Sequence, residues 1–270
     1  MRDYIAENWR ACLEQNGLRA FEDFWNLDAR SVEARNERRG GWSGVVRHEL
    51  TQPSGKKASV FIKRQENHVR RTWRHPLRGM LTLELEFKNI LRYRENGIPS
   101  LTPVFYAQRR RGGARRAILV TEELGGFRSL ADFVSEWKLT GWPPRGTRLK
   151  IIEVVAELLR SIHRHHLRHD CFFPKHILLR PGAAGGWEAR VIDLEKARWS
   201  PWTHAERSRD LRNLASGSFN WSASDCVHFF KTYLGVKKLS PGHKVSWAKL
   251  RVRVSAKRRH RALKQAGQRG

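Results

Sequence analysis

Acidic residues are scarce in this 270-residue chain: 26 Asp and Glu stand against 53 Lys and Arg, a formal net charge of +27. Such an imbalance repels itself unless something anionic is nearby, which points to nucleic acid, an anionic membrane face or a phosphorylated substrate. Cysteine is nearly absent. Cys12, Cys171 and Cys226 form an odd set without a Cys-x-x-Cys pair, which supports neither a disulfide framework nor a zinc knuckle and suits a reducing compartment. No stretch approaches about 18 apolar residues, so the sequence predicts no transmembrane helix. The opening MRDYIAENWRACLEQNG is charged throughout and lacks an apolar core, which reads against a secretory signal. The expectation is a protein that is cytosolic or sits on a surface.

What is present suits a folded chain. Hydrophobic residues make up 40%, enough for a core, and the eleven Trp suit interfaces and carbohydrate or headgroup contacts. Phe21, Phe24 and Trp25 read as packing residues. A glycine cluster at Gly40, Gly41 and Gly44 precedes Val45-Val46, and ASVFIKR (58–64) reads as a strand reached through the turn TQPSGKK. Leu83, Phe87, Ile90 and Leu91 make one helical face that stops at Asn96-Gly97, although LTLELEF also alternates like a strand. Two further strands flank RRRGGARR. Beyond Pro143-Pro144, Leu149, Ile152, Val155, Leu159 and Ile162 share one face of a long helix. This order, β-rich and then mostly helical, predicts an α+β chain of two lobes with a hinge near 121–126. The residues 249–270 carry nine Lys and Arg and no acid, and read as a frayed, solvated tail.

Four features carry chemistry. The glycine cluster would let backbone N–H groups approach phosphate oxygens, although alone it reads more readily as a Gly-rich surface turn. Lys63 ends the strand Val60-Phe61-Ile62, where an ammonium could meet nucleotide phosphates if an acid held it; Glu86 is the candidate partner and Glu84 the alternative. Asp170 follows the long helix and could orient a substrate hydroxyl and accept its proton. Asp193 ends the short strand Val191-Ile192 and offers a hard oxygen to Mg²⁺. Each alone is commonplace; the order and spacing of all four are not.

Taken together, RHDCFFPKHILL (168–179), VIDLEKAR (191–198), Ile62-Lys63, Glu86-Phe87 with Gly97-Ile98-Pro99, Val120–Leu124 and Arg209-Asp210-Leu211 resemble the lipopolysaccharide kinase family, over about residues 35–235. The resemblance implies a bilobal protein-kinase-like fold: a β-rich N-lobe over 1–121, a helical C-lobe with catalytic and metal loops over 122–248, and the basic tail. It implies ATP and Mg²⁺ as cofactors. Gly40, Gly41, Gly44 and Lys63 would contact phosphates, Glu86 would pair with Lys63, and Glu122, Glu123 and Leu124 would read adenine. Asp170 would be the catalytic base, Asp193 the metal ligand and Asp210 the buried brace of the catalytic loop. Lys175 stands where a metal-binding Asn is usual, with His176 one place on as its replacement. Glu195 in Asp193-Leu194-Glu195 is either a second metal ligand or a solvated acid.

The implied reaction is ATP-dependent phosphorylation of a sugar hydroxyl in the lipopolysaccharide inner core, a heptose, on a lipid-linked glycan at the inner face of the cytoplasmic membrane. The basic-aromatic segment around Arg70, Arg71, Trp73 and Arg74 could grip its anionic groups or headgroups. The alternatives are a small atypical protein kinase and a nucleic-acid-binding protein on a degenerate kinase scaffold, the latter weakened by the absence of an RNP-type or zinc-finger motif. The run His163, His165, His166 and His169 reads as part of the catalytic loop in preference to a zinc site.

Overall fold

A computed structural model describes residues 3–28, 36–37, 40–72, 75–200, 207–215 and 221–266. The chain divides into two compact units, Met1–Glu95 with Ser100–Gly125, and Asn96–Pro99 with Gly126–Gly270.

The first unit is built on an antiparallel sheet of β1 (Tyr4–Ile5), β2 (Trp42–Thr51), β3 (Lys57–Glu66), β6 (Pro103–Arg111) and β7 (Ala114–Glu122), in the order β1-β6-β7-β3-β2. Both sheet faces are covered, which is why Ile118, Leu119 and Val120 are all buried on consecutive positions of β7. Neighbouring residues on a strand point to opposite faces. Phe105 accordingly stacks on Phe24 of α2 (Phe21–Asn26), with centroids 4.2 Å apart, while Tyr106 stacks on Phe87 of α3 (Thr82–Glu95) at 4.3 Å. The N-terminal segment, with α1 (Arg10–Gln15), thus supplies one cover and α3 the other.

The helix α3 starts where the sequence pattern is ambiguous: Leu81 still belongs to a strand and Thr82 to the helix. It stops at Glu95, ahead of Gly97 at φ +64°, as the Asn-Gly signal predicts. The basic stretch between β3 and α3 forms a separate hairpin, β4 (Val69–Thr72) and β5 (His75–Leu81), which the sequence reading left without strands. Buried Leu81 opposite Val69 anchors its base, and Arg115 donates to the carbonyls of Arg78 and Gly79.

The second unit holds α4 (Leu130–Thr140), α5 (Arg145–Arg164), α6 (Arg207–Ala215), α7 (Ala223–Leu234) and α8 (Pro241–Ala266), with a small sheet of β8 (Arg128–Ser129), β10 (Ile177–Pro181) and β11 (Trp187–Val191) and the pair β9 (Leu167–Arg168) and β12 (Arg198–Trp199). Ser129 and Ser222 cap α4 and α7, each answered by an Asp at the third helical position. The expected frayed tail is a helix as far as Ala266. Ser240 Oγ accepts the His243 N–H at 3.2 Å, Pro241 fits the first helical position, and Trp247 packs on Phe230 at 5.1 Å.

Candidate active site

In the first unit, Lys63 Nζ lies 2.6 Å from Glu86 Oε1. The pair is largely enclosed, which favours mutual neutralisation over solvation. Glu84, the alternative partner, is instead 2.7 Å from Lys88, one helical turn on. What aligns strand and helix is a residue the sequence reading missed. Buried Gln65, two places after Lys63, accepts from Leu83 N–H at 2.9 Å and Thr82 Oγ1 at 2.7 Å, and donates to His68 O at 3.1 Å. It thereby satisfies a donor at the start of α3 from the strand that carries Lys63. An isolated Gln gives no sequence signal for such a contact.

The glycines divide by role. Gly40 sits at φ +75° in a turn. A Cβ on Gly41 would lie 2.1 Å from the Glu66 carbonyl oxygen, so Gly41 is demanded by close backbone packing. Gly44 lies within β2, paired with Arg64. The expected phosphate-cradling turn is therefore only in part a loop, because β2 begins at Trp42.

In the crossing segment, the Glu122 N–H donates to Thr102 O at 3.0 Å and the Glu123 N–H to Ser59 O at 2.9 Å. Both side chains are also engaged: Glu122 Oε1 accepts from Trp9 Nε1 at 2.6 Å, and Glu123 takes both oxygens to Arg47. The Arg47 contact holds the Glu123 carboxyl below the usual carboxylate range. Of the three amides expected to read a base, those of Glu122 and Glu123 are thus already committed.

In the second unit, Asp170 and Asp193 share an unusual backbone, with φ of +60° and +62°. That left-handed region costs a non-glycine residue about 1 kcal/mol or more, and such residues cluster at functional loops. A buried network holds the loop of Asp170. Asp210 Oδ2 accepts from the His169 N–H at 2.9 Å and contacts His163 Nε2 at 3.2 Å, while His163 Nδ1 meets Tyr233 OH at 2.8 Å. Burial pushes the Asp210 carboxyl up, but His163 and the His169 N–H outweigh it and leave its pKa below the ordinary value. His169 Nε2 is 2.9 Å from Ile192 O and its Nδ1 accepts from the Cys171 N–H at 3.2 Å, so the neutral tautomer fits both contacts. Burial lowers the His169 pKa accordingly. His169 thus joins the Asp170 loop to the residue before Asp193. Asn213 adds a bond to the Asp170 carbonyl at 2.8 Å.

The Asp170 carboxylate is itself caged. Arg168 Nη2 lies 2.6 Å from Oδ1, Arg198 Nε 3.0 Å from Oδ2 and Arg209 Nη1 3.7 Å from Oδ1. The sequence reading named none of these arginines as functional.

His176 Nδ1 is 2.8 Å from Cys171 O, a contact that needs its proton there, and Nε2 lies 3.3 Å from Asp193 Oδ2. Burial lowers the His176 pKa and so favours the neutral ring, whose Nε2 lone pair then faces the carboxylate. Two acceptors at that distance suit an interposed cation or water. Asp193 is about one-third exposed, fitting the single-carboxylate attachment by which Mg²⁺ keeps waters and phosphate oxygens as its other ligands. Glu195 is 3.4 Å from Lys196. Within the histidine run, His163 and the backbone of His169 are bound to Asp210. Of the basic segment, Arg70 and Arg71 lie on β4; Trp73 and Arg74 fall outside the described residues.

The architecture is an α+β, kinase-like fold. A solved structure described as WaaP in complex with acyl carrier protein superposes with a TM-score of 0.70 at 24% identity, covering 96% of this chain and 99% of that one. The model of the lipopolysaccharide kinase (Kdo/WaaP) family matches residues 22–233. The chain belongs to that family, and it is a kinase. Among similar proteins, InaA of Escherichia coli K12 is 30% identical over 66% of this chain and 78% of its own length. The lipopolysaccharide core heptose(I) kinase WaaP of Pseudomonas aeruginosa PAO1 is 31% identical over 60% and 65%, and that of Escherichia coli K12 is 26% identical over 87% of both chains.

Proposed function

We propose that the protein phosphorylates a sugar hydroxyl of the lipopolysaccharide inner core, a heptose, with ATP as donor and Mg²⁺ as cofactor. The observation that carries this reading is the joint presence of the enclosed Lys63–Glu86 pair and the loops that set Asp170 and Asp193. Lys63 offsets charge on the nucleotide phosphates, with Glu86 fixing its ammonium. Asp170 orients the acceptor hydroxyl and takes its proton. Asp193, with His176 beside it, holds Mg²⁺, which would neutralise phosphate charge. Phosphoryl transfer rests chiefly on such positioning and electrostatics. The leucine at 124 would read adenine through its N–H, since the two preceding amides are engaged.

The +27 charge and the exposed β4–β5 hairpin support attachment to the inner face of the cytoplasmic membrane, where a lipid-linked glycan is presented. No helix among the described residues is long and apolar enough to cross a membrane. The solved structure described above is a complex with acyl carrier protein, which makes such a carrier a further candidate partner. Mass spectra of lipopolysaccharide core from cells with and without the gene test the reading. The expected outcome is loss of one phosphate from a heptose; an unchanged core would contradict it.

A further inference from the structure

The residues ahead of the family match, which begins at 22, reach the strand end proposed to read adenine. Tyr4 and Ile5 pair with Tyr106 and Phe105 at the edge of the sheet, and the Ala6 N–H continues the run to Val104 O at 2.9 Å. The chain then turns through Glu7–Trp9, where the Trp9 N–H closes on Ala6 O at 2.9 Å. This run follows β6 toward Thr102, whose carbonyl accepts the Glu122 N–H at 3.0 Å. That register brings Trp9 to the end of β7. Its side chain joins the core that holds Leu13, Phe21 and Phe24, leaving Trp9 6% exposed, and its Nε1–H donates to Glu122 Oε1 at 2.6 Å.

The two carboxylates of the crossing segment are held unequally. Glu123 is bound by Arg47, whose side chain is 47% exposed, and an ion pair so open to water contributes little and weakens with salt. The Glu122 contact has a buried donor and a charged acceptor, the combination that makes a short and strong hydrogen bond. An indole N–H can only donate, so the bond has one direction and one geometry. With its backbone N–H on Thr102 and its carboxylate on Trp9, Glu122 is fixed through main chain and side chain alike. Backbone groups that recognise a ligand must hold their place to about 0.5 Å, which takes this kind of support from behind.

We propose that Trp9 is a positioning residue of the nucleotide site: by holding the Glu122 carboxylate it sets the backbone of residues 122–124 for adenine. The segment 4–9 then serves ATP recognition besides covering one edge of the sheet. Trp9 acts through Glu122 and has no contact of its own with the nucleotide. The inference rests on 122–124 as the adenine-reading segment of the proposed kinase.

The test uses the full chain. Calorimetric titration with Mg-ATP and with Mg-tripolyphosphate separates recognition of the base from recognition of the phosphates. Trp9→Phe keeps an aromatic ring and removes the N–H. It should weaken ATP binding fivefold or more and leave tripolyphosphate binding within twofold of wild type, which also reports that the protein is folded. A merely structural role would weaken both ligands together or neither. Glu122→Leu removes the acceptor and should cost as much as Trp9→Phe, and the double variant should lose no more than either alone. Should Trp9→Phe fail to fold, Glu122→Leu carries the same comparison of the two ligands. In turnover, Trp9→Phe should raise the KM for ATP fivefold or more with the KM for core oligosaccharide unchanged. Wild-type ATP affinity in folded Trp9→Phe, equal weakening of both ligands, or additive losses in the double variant overturns the proposal. ATP binding that depends on the Trp9 N–H, without label passing to core oligosaccharide, would sustain the inference and overturn the proposed acceptor. Wild-type protein that binds tripolyphosphate as tightly as ATP would overturn the adenine-reading segment and this inference with it.

Discussion

Asp210 is a single buried carboxylate on which the loop of Asp170 depends. It receives the His169 N–H and His163, and His163 is tied on to Tyr233. Replacing it with Ala leaves buried donors unpaired, and the expected cost is roughly 3–5 kcal/mol in urea unfolding. Its pKa is depressed by folding, so the unfolded chain binds the proton more readily. The stability it contributes is complete above the unfolded value near pH 4 and is lost as pH falls through the lower folded value. Urea midpoints measured from pH 5 to pH 3 should therefore fall more steeply in wild type than in Asp210→Asn. Parallel curves would show that the ionised carboxylate contributes nothing. At this scale the sequence foretold the contact of Lys63 with Glu86, whose partners lie 23 positions apart. It was silent where contacts span the chain: Trp9 meets Glu122 across 113 positions, and Arg209 reaches Asp170 across 39.

The β4–β5 hairpin is the element whose sequence and structure fit least well together. Its composition reads as a basic loop, because Arg breaks the apolar alternation that marks a strand. Pairing of Val69 with Leu81 and the carbonyl contacts from Arg115 set its register all the same. It leaves Leu77 87% exposed, next to Arg78 on one strand and opposite the strand of Arg70 and Arg71. An apolar side chain among cations suits a bilayer interface, where each Arg contributes about 1 kcal/mol near an anionic surface. Arg70→Gln with Arg71→Gln should thus weaken sedimentation with anionic vesicles by about thirtyfold. Binding to neutral vesicles should be weak throughout, and salt should erode the anionic binding. Equal binding to both vesicle types would contradict the assignment. The helix α8 teaches a related lesson: its charge masked a helix whose start is fixed by Ser240 and which packs Trp247 on Phe230 and buries Leu250, while Val245 and Val252 stay exposed.

Across the whole chain, the order of elements was the most legible feature. Alternation in β3 and β7, a single apolar stripe on α5 and the Asn96-Gly97 stop each follow from local periodicity and turn chemistry. The double covering of the first unit's sheet was less so, since it needs Phe24 and Phe87 to meet opposite faces of one strand. The +27 charge is intelligible at this scale as a property suited to anionic substrates and surfaces.

The central claim is that this chain moves the γ-phosphoryl group of ATP onto a core sugar, with Lys63 and Asp193 handling phosphate charge. The most direct measurement follows label from γ-³²P ATP into purified core oligosaccharide, using wild type, Lys63→Ala and Asp193→Ala proteins matched for folding by circular dichroism. Wild type should transfer label, Lys63→Ala should be slower on the order of a hundredfold or more, and Asp193→Ala should transfer none above background. Label transfer at wild-type rate by a folded Asp193→Ala protein, or none by wild type itself, would contradict the account.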